Sequence, residues 1–235
     1  MEYYLRLVLE GPLLAFGGEA VDALGVVEDF PAASMLTGLL ANALGLQRHH
    51  RAALARLQER LHYAARIDRE GHRLTDFQTA QLGKDDQGWT THGAPEGRAG
   101  ATYGSPHIRR RDYDADKRVV VALRLDDADE APTLADLAAA LDEPARPLFL
   151  GRKPCLPSSR ICAGIVEGET LLDVLASLLP RADGAATRVL LPGSEVALPG
   201  DDERPWSDQR RWISGVHGGT RTIRIRHVPA ARPTP

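Results

Sequence analysis

Hydrophobic and polar positions alternate at the start of this chain and then shift to helical spacing. Residues 3–10 place Tyr3, Leu5, Leu7 and Leu9 on one side and Tyr4, Arg6, Val8 and Glu10 on the other. That is the period-two signature of a half-buried strand, stopped by Gly11-Pro12. Between Glu28 and Gln47 the period changes. Pro31 stands where a helix accepts its first residue and Gly45 where it stops, and Met35, Leu36, Leu39, Leu40, Ala43 and Leu44 form an apolar stripe. Ser34, Thr37, Gly38 and Ala41 recur on the other side with no bulky group among them. Such a face either packs closely on a sheet or admits another backbone, protein or nucleic acid, near the positive helix start.

The later pattern continues the alternation of strand and helix. Over 118–125 Val119, Val121, Leu123 and Leu125 face inward, leaving Arg118 and Arg124 on the outer face, as Arg6 is in the first strand. Leu134, Leu137, Ala138 and Leu141 mark one amphipathic helix, and Leu171, Leu172, Val174, Leu175 and Leu178 mark another. Thr222, Arg224 and Arg226 alternate with Ile223 and Ile225 in a late strand. The pattern predicts an α+β fold: a sheet backed by two helices with arginines on its open face, the ferredoxin-like (RRM-like) arrangement. A doubly wound sheet would require a Gly-rich nucleotide turn that the chain lacks. Residues 69–105 show neither period and are rich in Gly, Thr, Gln, Asp and His around a solitary Trp89. An excursion of this length is functional or floppy.

Composition narrows the class. A chain of 235 residues buries roughly 70% of its unfolded surface and folds without staples. Its two cysteines, Cys155 and Cys162, indicate neither a disulfide scaffold nor a zinc site, so no metal or cofactor is expected. No basic leader with an apolar run and no stretch near the ~20 apolar residues of a membrane span is present, so a soluble cytoplasmic protein without a membrane partner is expected. The net charge of −3 argues against a general nucleic-acid binder, but the charge is sorted. Seven acids and no Lys or Arg fall between residues 126 and 143, which reads as a face turned to solvent or a partner. From Arg204 onward there are seven arginines against one acid, Asp208, and Arg109, Arg110, Arg111, Lys117 and Arg118 cluster upstream. Only Lys84, Lys117 and Lys153 are lysine, a bias that suits phosphate and stacking contacts and that a GC-rich genome would also produce.

Metal-free chemistry on RNA needs a base, an acid and a cation around a 2′-hydroxyl. His107, Tyr113 and Lys117 supply those types just before the strand at 118, so a metal-independent endoribonuclease stands as an alternative. Walker, G-x-S-x-G and H-E-x-x-H signatures are absent. A third reading is a purely structural assembly subunit.

Five blocks in order resemble the CasD family, the crRNA 5′-handle-binding subunits of type I-E CRISPR Cascade complexes. They are Tyr4-Leu5-Arg6-Leu7-Val8-Leu9-Glu10-Gly11-Pro12-Leu13-Leu14-Ala15-Phe16-Gly17; Phe30-Pro31-Ala32-Ala33-Ser34 with Gly38-Leu39-Leu40 and Leu44-Gly45; Asp76-Phe77-Gln78-Thr79; Arg110-Arg111-Asp112-Tyr113 with Val119-Val120-Val121-Ala122-Leu123; and Pro147-Leu148-Phe149-Leu150-Gly151-Arg152-Lys153-Pro154-Cys155. The last third resembles the family only loosely. The resemblance implies a RAMP-superfamily domain over 1–157, with a hairpin thumb inserted at about 69–105 that lies across guide RNA and the neighbouring backbone subunit. A smaller β-rich region over 158–228 and a flexible tail over 229–235 follow. It implies a non-catalytic role capping the crRNA 5′ handle, with other Cascade subunits (backbone and large) as partners and target DNA met only through the complex. A sister subtype cleaves precursor crRNA, which keeps the nuclease alternative open. Residue chemistry then assigns Arg6, Arg109, Arg110, Arg111, Arg152 and Lys153 to handle phosphates. Ser34, Thr37 and the amides after Pro31 would donate to phosphate or splayed bases, with Gln47, Arg48, Gln78 and Thr79 completing the expected RNA contacts.

Overall fold

A computed structural model describes residues 2–18, 23–81, 88–89, 95–96, 106–178 and 187–228. In chain order its elements are β1 (Glu2–Glu10), β2 (Leu13–Leu14), β3 (Leu24–Gly25), α1 (Ala33–Ala43), α2 (Arg51–Arg60), β4 (Leu61–Arg69), β5 (His72–Ala80), β6 (Gly88–Trp89), β7 (Pro95–Glu96), β8 (His107–Ala115), β9 (Arg118–Leu125), α3 (Leu134–Asp142), β10 (Cys162–Gly168), α4 (Leu171–Ser177), β11 (Thr187–Pro192), β12 (Asp202–Trp206), β13 (Arg210–Arg211), β14 (Val216–His217) and β15 (Arg221–Val228). This is a mixed α/β structure. Its main sheet runs β10-β1-β9-β4-β11-β15-β12, antiparallel throughout.

Period-two patterning sets the register. Leu5, Leu7 and Leu9 stand opposite Leu123, Val121 and Val119, and with Tyr63, Ala65 and Ile67 of β4 they form the face that α1, α2 and α3 cover. The other face carries Tyr4, Val8, Ala64, Val120, Ala122, Val189 and Leu191, against which α4 lays Leu171, Val174 and Leu175. The sheet therefore lacks the open arginine-bearing face expected from the sequence. Arg118 is paired with Asp68 and Glu10, Arg124 with Asp126 and Glu2, and Arg6 donates to the Ala163 carbonyl at 3.0 Å. Buried Arg66 donates to the Leu175 and Leu178 carbonyls at 2.6 and 2.7 Å, answering the unpaired carbonyls at the end of α4.

Other arginines serve as internal clamps. The fully buried Arg60 side chain donates to the carbonyls of Asp126, Asp127, Glu130 and Pro132, while Arg56 pairs with Asp127 and Glu130. Backbone carbonyls of the acidic stretch thus turn onto α2 and Glu130 is half-buried against Arg56, while the other six acids stay exposed. Thr133 and Asp136 cap α3 reciprocally. Cys155 and Cys162 are free and buried.

The stretch 69–105, read as lacking a period, does contain a strand. All nine residues of β5 pair with β8, from His72 opposite Ala115 to Ala80 opposite His107. Its side chains stay exposed, so backbone pairing rather than an apolar face defines it. β2 and β3 pin the base of this hairpin against β8. The boundary expected at residue 157 falls just before β10, the edge neighbour of β1, and the expected tail at 229–235 lies outside the described residues. No helix among the described residues is long and apolar enough to cross a membrane.

Candidate nucleic-acid interface

Helix α1 begins at Ala33, two residues later than its Pro31 signal predicts. Pro31 is buried and its carbonyl accepts from the Tyr63 hydroxyl at 2.7 Å. The start of α1 is already occupied by an anion: the Asp208 carboxylate accepts from the Ala33 amide at 3.0 Å, and the Asp208 carbonyl accepts from the Ser34 amide at 3.0 Å. Asp208 is 4% exposed and also holds the Arg221 guanidinium at 2.7 Å. Burial pushes the Tyr63 phenol well above its ordinary value against the pull of Arg221. The amides expected to receive phosphate are therefore spent on the protein's own carboxylate. Thr37 is likewise closed off, fully buried with its hydroxyl donating to the Ala33 carbonyl at 2.8 Å.

The small-residue face of α1 nevertheless opens onto a groove of about 640 Å³. Ser34, Gly38 and Ala41 line it from α1 together with Met35, Leu39 and Asn42, and a Cβ added at Gly38 would meet nothing within 4 Å. Gln47 and Arg48 line it beyond the end of α1, and Phe149, Gly151 and Arg152 line it from the loop after α3. Trp212 and His217 of the β13–β14 ribbon complete the lining with Arg210. Among the described residues the groove is lined by four arginines, Arg48, Arg146, Arg152 and Arg210, and by no Asp or Glu. In a chain of net charge −3 this is a concentrated cationic seat.

Local contacts fix its walls. Gln58 of α2 pins the ribbon, accepting from the Trp212 indole at 3.0 Å and donating to the Arg210 carbonyl at 3.1 Å. The Arg210 guanidinium lies 5.3 Å from the Trp212 ring centroid. Arg146 donates to Asn42 at 2.9 Å and to the Leu46 carbonyl. Arg152 donates to the carbonyls of Asp112 and Gly25 at 2.7 and 2.8 Å and lies 5.0 Å from the Tyr113 centroid, so it ties the hairpin base to the groove. Gly151 makes that loop possible: at φ +97° it passes so close that a Cβ would stand 1.8 Å from the Ala15 carbonyl oxygen.

The expected RNA contacts divide between two places. Ser34, Gln47, Arg48 and Arg152 line the groove, with Lys153 exposed just beyond. Gln78, Thr79, Arg109, Arg110 and Arg111 lie on the β5–β8 hairpin; Arg109 and Arg110 are exposed, and Arg111 donates to Gln78 at 2.9 Å. Arg6, Pro31 and Thr37 are held within the body. His107, Tyr113 and Lys117 do not converge. Six residues of strand separate His107 from Tyr113, about 20 Å of rise. Tyr113 is core, and Lys117 is 1% exposed and ion-paired with Asp114 at 3.1 Å. The sequence pattern placed none of Arg146, Phe149, Arg210, Trp212 and His217 in a site. The excess of arginine after Arg204 was the one signal pointing there. Among the described residues no group of three His, Cys, Asp or Glu side chains is arranged to hold a metal.

Fold and groove together define a sheet-and-helix protein with a cationic seat shaped for a polyanion. The chain matches the family described as CRISPR-associated protein (Cas_Cas5) over residues 4–224 and belongs to it. It is 32% identical over 203 residues to the CRISPR system Cascade subunit CasD of Escherichia coli (strain K12), covering 86% of this chain and 89% of that protein. Its fold is similar to a chain of a CRISPR RNA-guided surveillance complex, with a TM-score of 0.72 at 21% identity, over 97% of this chain and 90% of the other. It is also similar to a crystal structure of a Cas protein, with a TM-score of 0.63 at 24% identity, over 96% and 95%.

Proposed function

We propose that this protein is a crRNA-binding subunit of a CRISPR Cascade surveillance complex in antiviral defence, and that the groove along α1 grips the 5′ handle of the guide. The observation that carries this reading is the groove lining: four arginines and, among the described residues, no acid, beside a strip of α1 where Ser34 and Gly38 leave room for a phosphodiester backbone to approach closely. Membership of the family and the identity with a Cascade subunit supply the kind of RNA. Arg48, Arg152 and Arg210 neutralise phosphates, Trp212 offers a stacking surface, and the handle is read largely by shape.

The sheet order supports the finer fold reading. The strands β10-β1-β9-β4, with α1 and α2 crossing between β1 and β4 and α3 crossing between β9 and β10, have the order of a ferredoxin-like RAMP unit. We read the β5–β8 hairpin as the thumb. It carries Arg109, Arg110 and exposed Phe77 and Ile108 toward guide RNA and the neighbouring backbone subunit, in a cytoplasmic complex whose large subunit is a further partner. Target DNA meets this subunit only through the complex.

The test is fluorescence anisotropy of a labelled handle RNA against the full chain across a salt series. The expected log-log slope is about −0.7 per phosphate engaged. Arg48→Glu, at an exposed groove position, lowers affinity more than tenfold. Equal affinity in wild type and variant would contradict the assignment.

A further inference from the structure

The groove does not end at α1. Past Gly17, Ser34 and His217, which line both spaces, it continues into a second cavity of about 320 Å³ bounded by Gly18, Val26, Glu28, Trp206 and Asp208. Among the described residues the two spaces are opposite in charge: the groove has arginines and no acid, whereas the cavity has two carboxylates and no Lys or Arg. Asp208 is committed to α1, Tyr63 and Arg221. Glu28 is not committed. Its backbone amide donates to the Phe16 carbonyl at 2.6 Å, but no side chain or backbone group among the described residues engages its half-buried carboxylate.

An uncompensated carboxylate beside a phosphate-binding groove repels phosphate, so a polyanion following the arginines keeps its backbone out of this cavity. A nucleobase meets no such barrier. An ionised carboxylate can only accept hydrogen bonds, and the amino groups of splayed-out bases are matching donors, as in carboxylate contacts to the cytosine amino group. Trp206 supplies an aromatic wall, with the Arg221 guanidinium 5.6 Å from its ring centroid. Gly18 keeps the carboxylate in position: a Cβ there would stand 2.8 Å from Glu28 Oε1.

We propose that this cavity is a base-reading subsite, in which Glu28 accepts a hydrogen bond from the exocyclic amino group of one nucleotide while the flanking phosphates stay in the arginine groove. The inference rests on the RNA-binding reading above and adds a specificity-determining residue to it.

The experiment is fluorescence anisotropy of the full chain with 3′-labelled octacytidylate and octauridylate at about 50 mM salt, where phosphate contacts are strong. The two probes present an amino group and a carbonyl at the same ring position. Wild type is expected to bind the cytidine probe about tenfold more tightly. Glu28→Gln, which donates as well as accepts, brings the ratio close to one. Gly18→Ala, which keeps the charge but displaces the carboxylate, also collapses it, with melting temperatures of both variants recorded alongside. A wild-type preference that survives both substitutions, or a wild type that binds both probes alike, overturns the subsite and leaves the groove standing. A wild type that binds neither probe overturns the subsite and the RNA-binding reading together.

Discussion

Removing the Asp208 carboxylate should be the most damaging single change outside the sheet. Asp208 is 4% exposed and accepts from the Ala33 amide at 3.0 Å, the Tyr63 hydroxyl at 3.2 Å and Arg221 at 2.7 Å. In Asp208→Ala, loss of the cap on α1 costs about 1 kcal/mol. Stranding the mostly buried Arg221 guanidinium without its counter-charge costs about 3–5 kcal/mol. Because the groups touch, the two losses overlap, and the net is about 4 kcal/mol. For a chain of this size that is a fall in Tm of roughly 10 °C. Urea unfolding followed by circular dichroism measures it as a lower midpoint at constant slope. Asp208→Ala combined with Arg221→Met removes both charges and should recover most of the loss beyond the cap, leaving about 1–2 kcal/mol. A single variant within 1 kcal/mol of wild type, or a double variant no better than the single, would refute the idea that this ion pair anchors α1 and the groove beside it.

Other consequences are as direct. Gly151→Ala forces a Cβ into the Ala15 carbonyl at positive φ and should cost about 3 kcal/mol or more, read as lost soluble yield and lower Tm. Arg110→Glu with Arg111→Glu reverses the charge on the hairpin and should abolish guide retention in the assembled complex, measured by co-purified RNA. On acidification, burial raises Asp29, but Arg188, Lys117 and Arg73 overcome it and hold the carboxyl below its ordinary value. The Arg56 side chain does the same for Glu130 and Arg160 for Asp142. Each carboxyl binds its proton more readily when unfolded, so this stability is present above the ordinary carboxylate range and lost as pH falls through about 4 and below. Urea midpoints should decline there, and less steeply in Asp29→Asn; a midpoint unchanged between neutrality and pH 3 would contradict the sign.

Elements with a strong period were legible in the chain. β1, β9, α3, α4 and β15 fall where alternation or helical spacing puts them, because one face of each meets the core. α2, β4 and β5 were not legible, for different reasons. β4 does alternate, Leu61, Tyr63, Ala65 and Ile67 against His62, Ala64, Arg66 and Asp68, but it follows α2 without a break, and its Arg66 and Asp68 are buried because they pair with each other and Arg66 also with the end of α4, a compensation visible only in three dimensions. β5 has polar side chains exposed on both faces and exists through its ladder with β8. The small-residue face of α1 did mark part of the groove lining. The same pattern assigned phosphate to the start of α1, since nothing local signals that Asp208, 175 residues away, already caps it. The groove's far wall escaped notice because its ribbon is two residues per strand and its register depends on Gln58 of α2.

The central claim is that RNA lies in the groove along α1, and Gly38→Leu tests it most directly. An added side chain at Gly38 has open space in front of it and projects into that groove, and leucine is the better helix former by up to about 1 kcal/mol. The account predicts a Tm at or above that of wild type together with at least a tenfold loss of affinity for single-stranded handle RNA. A variant that folds as well and binds RNA as tightly as wild type would contradict it.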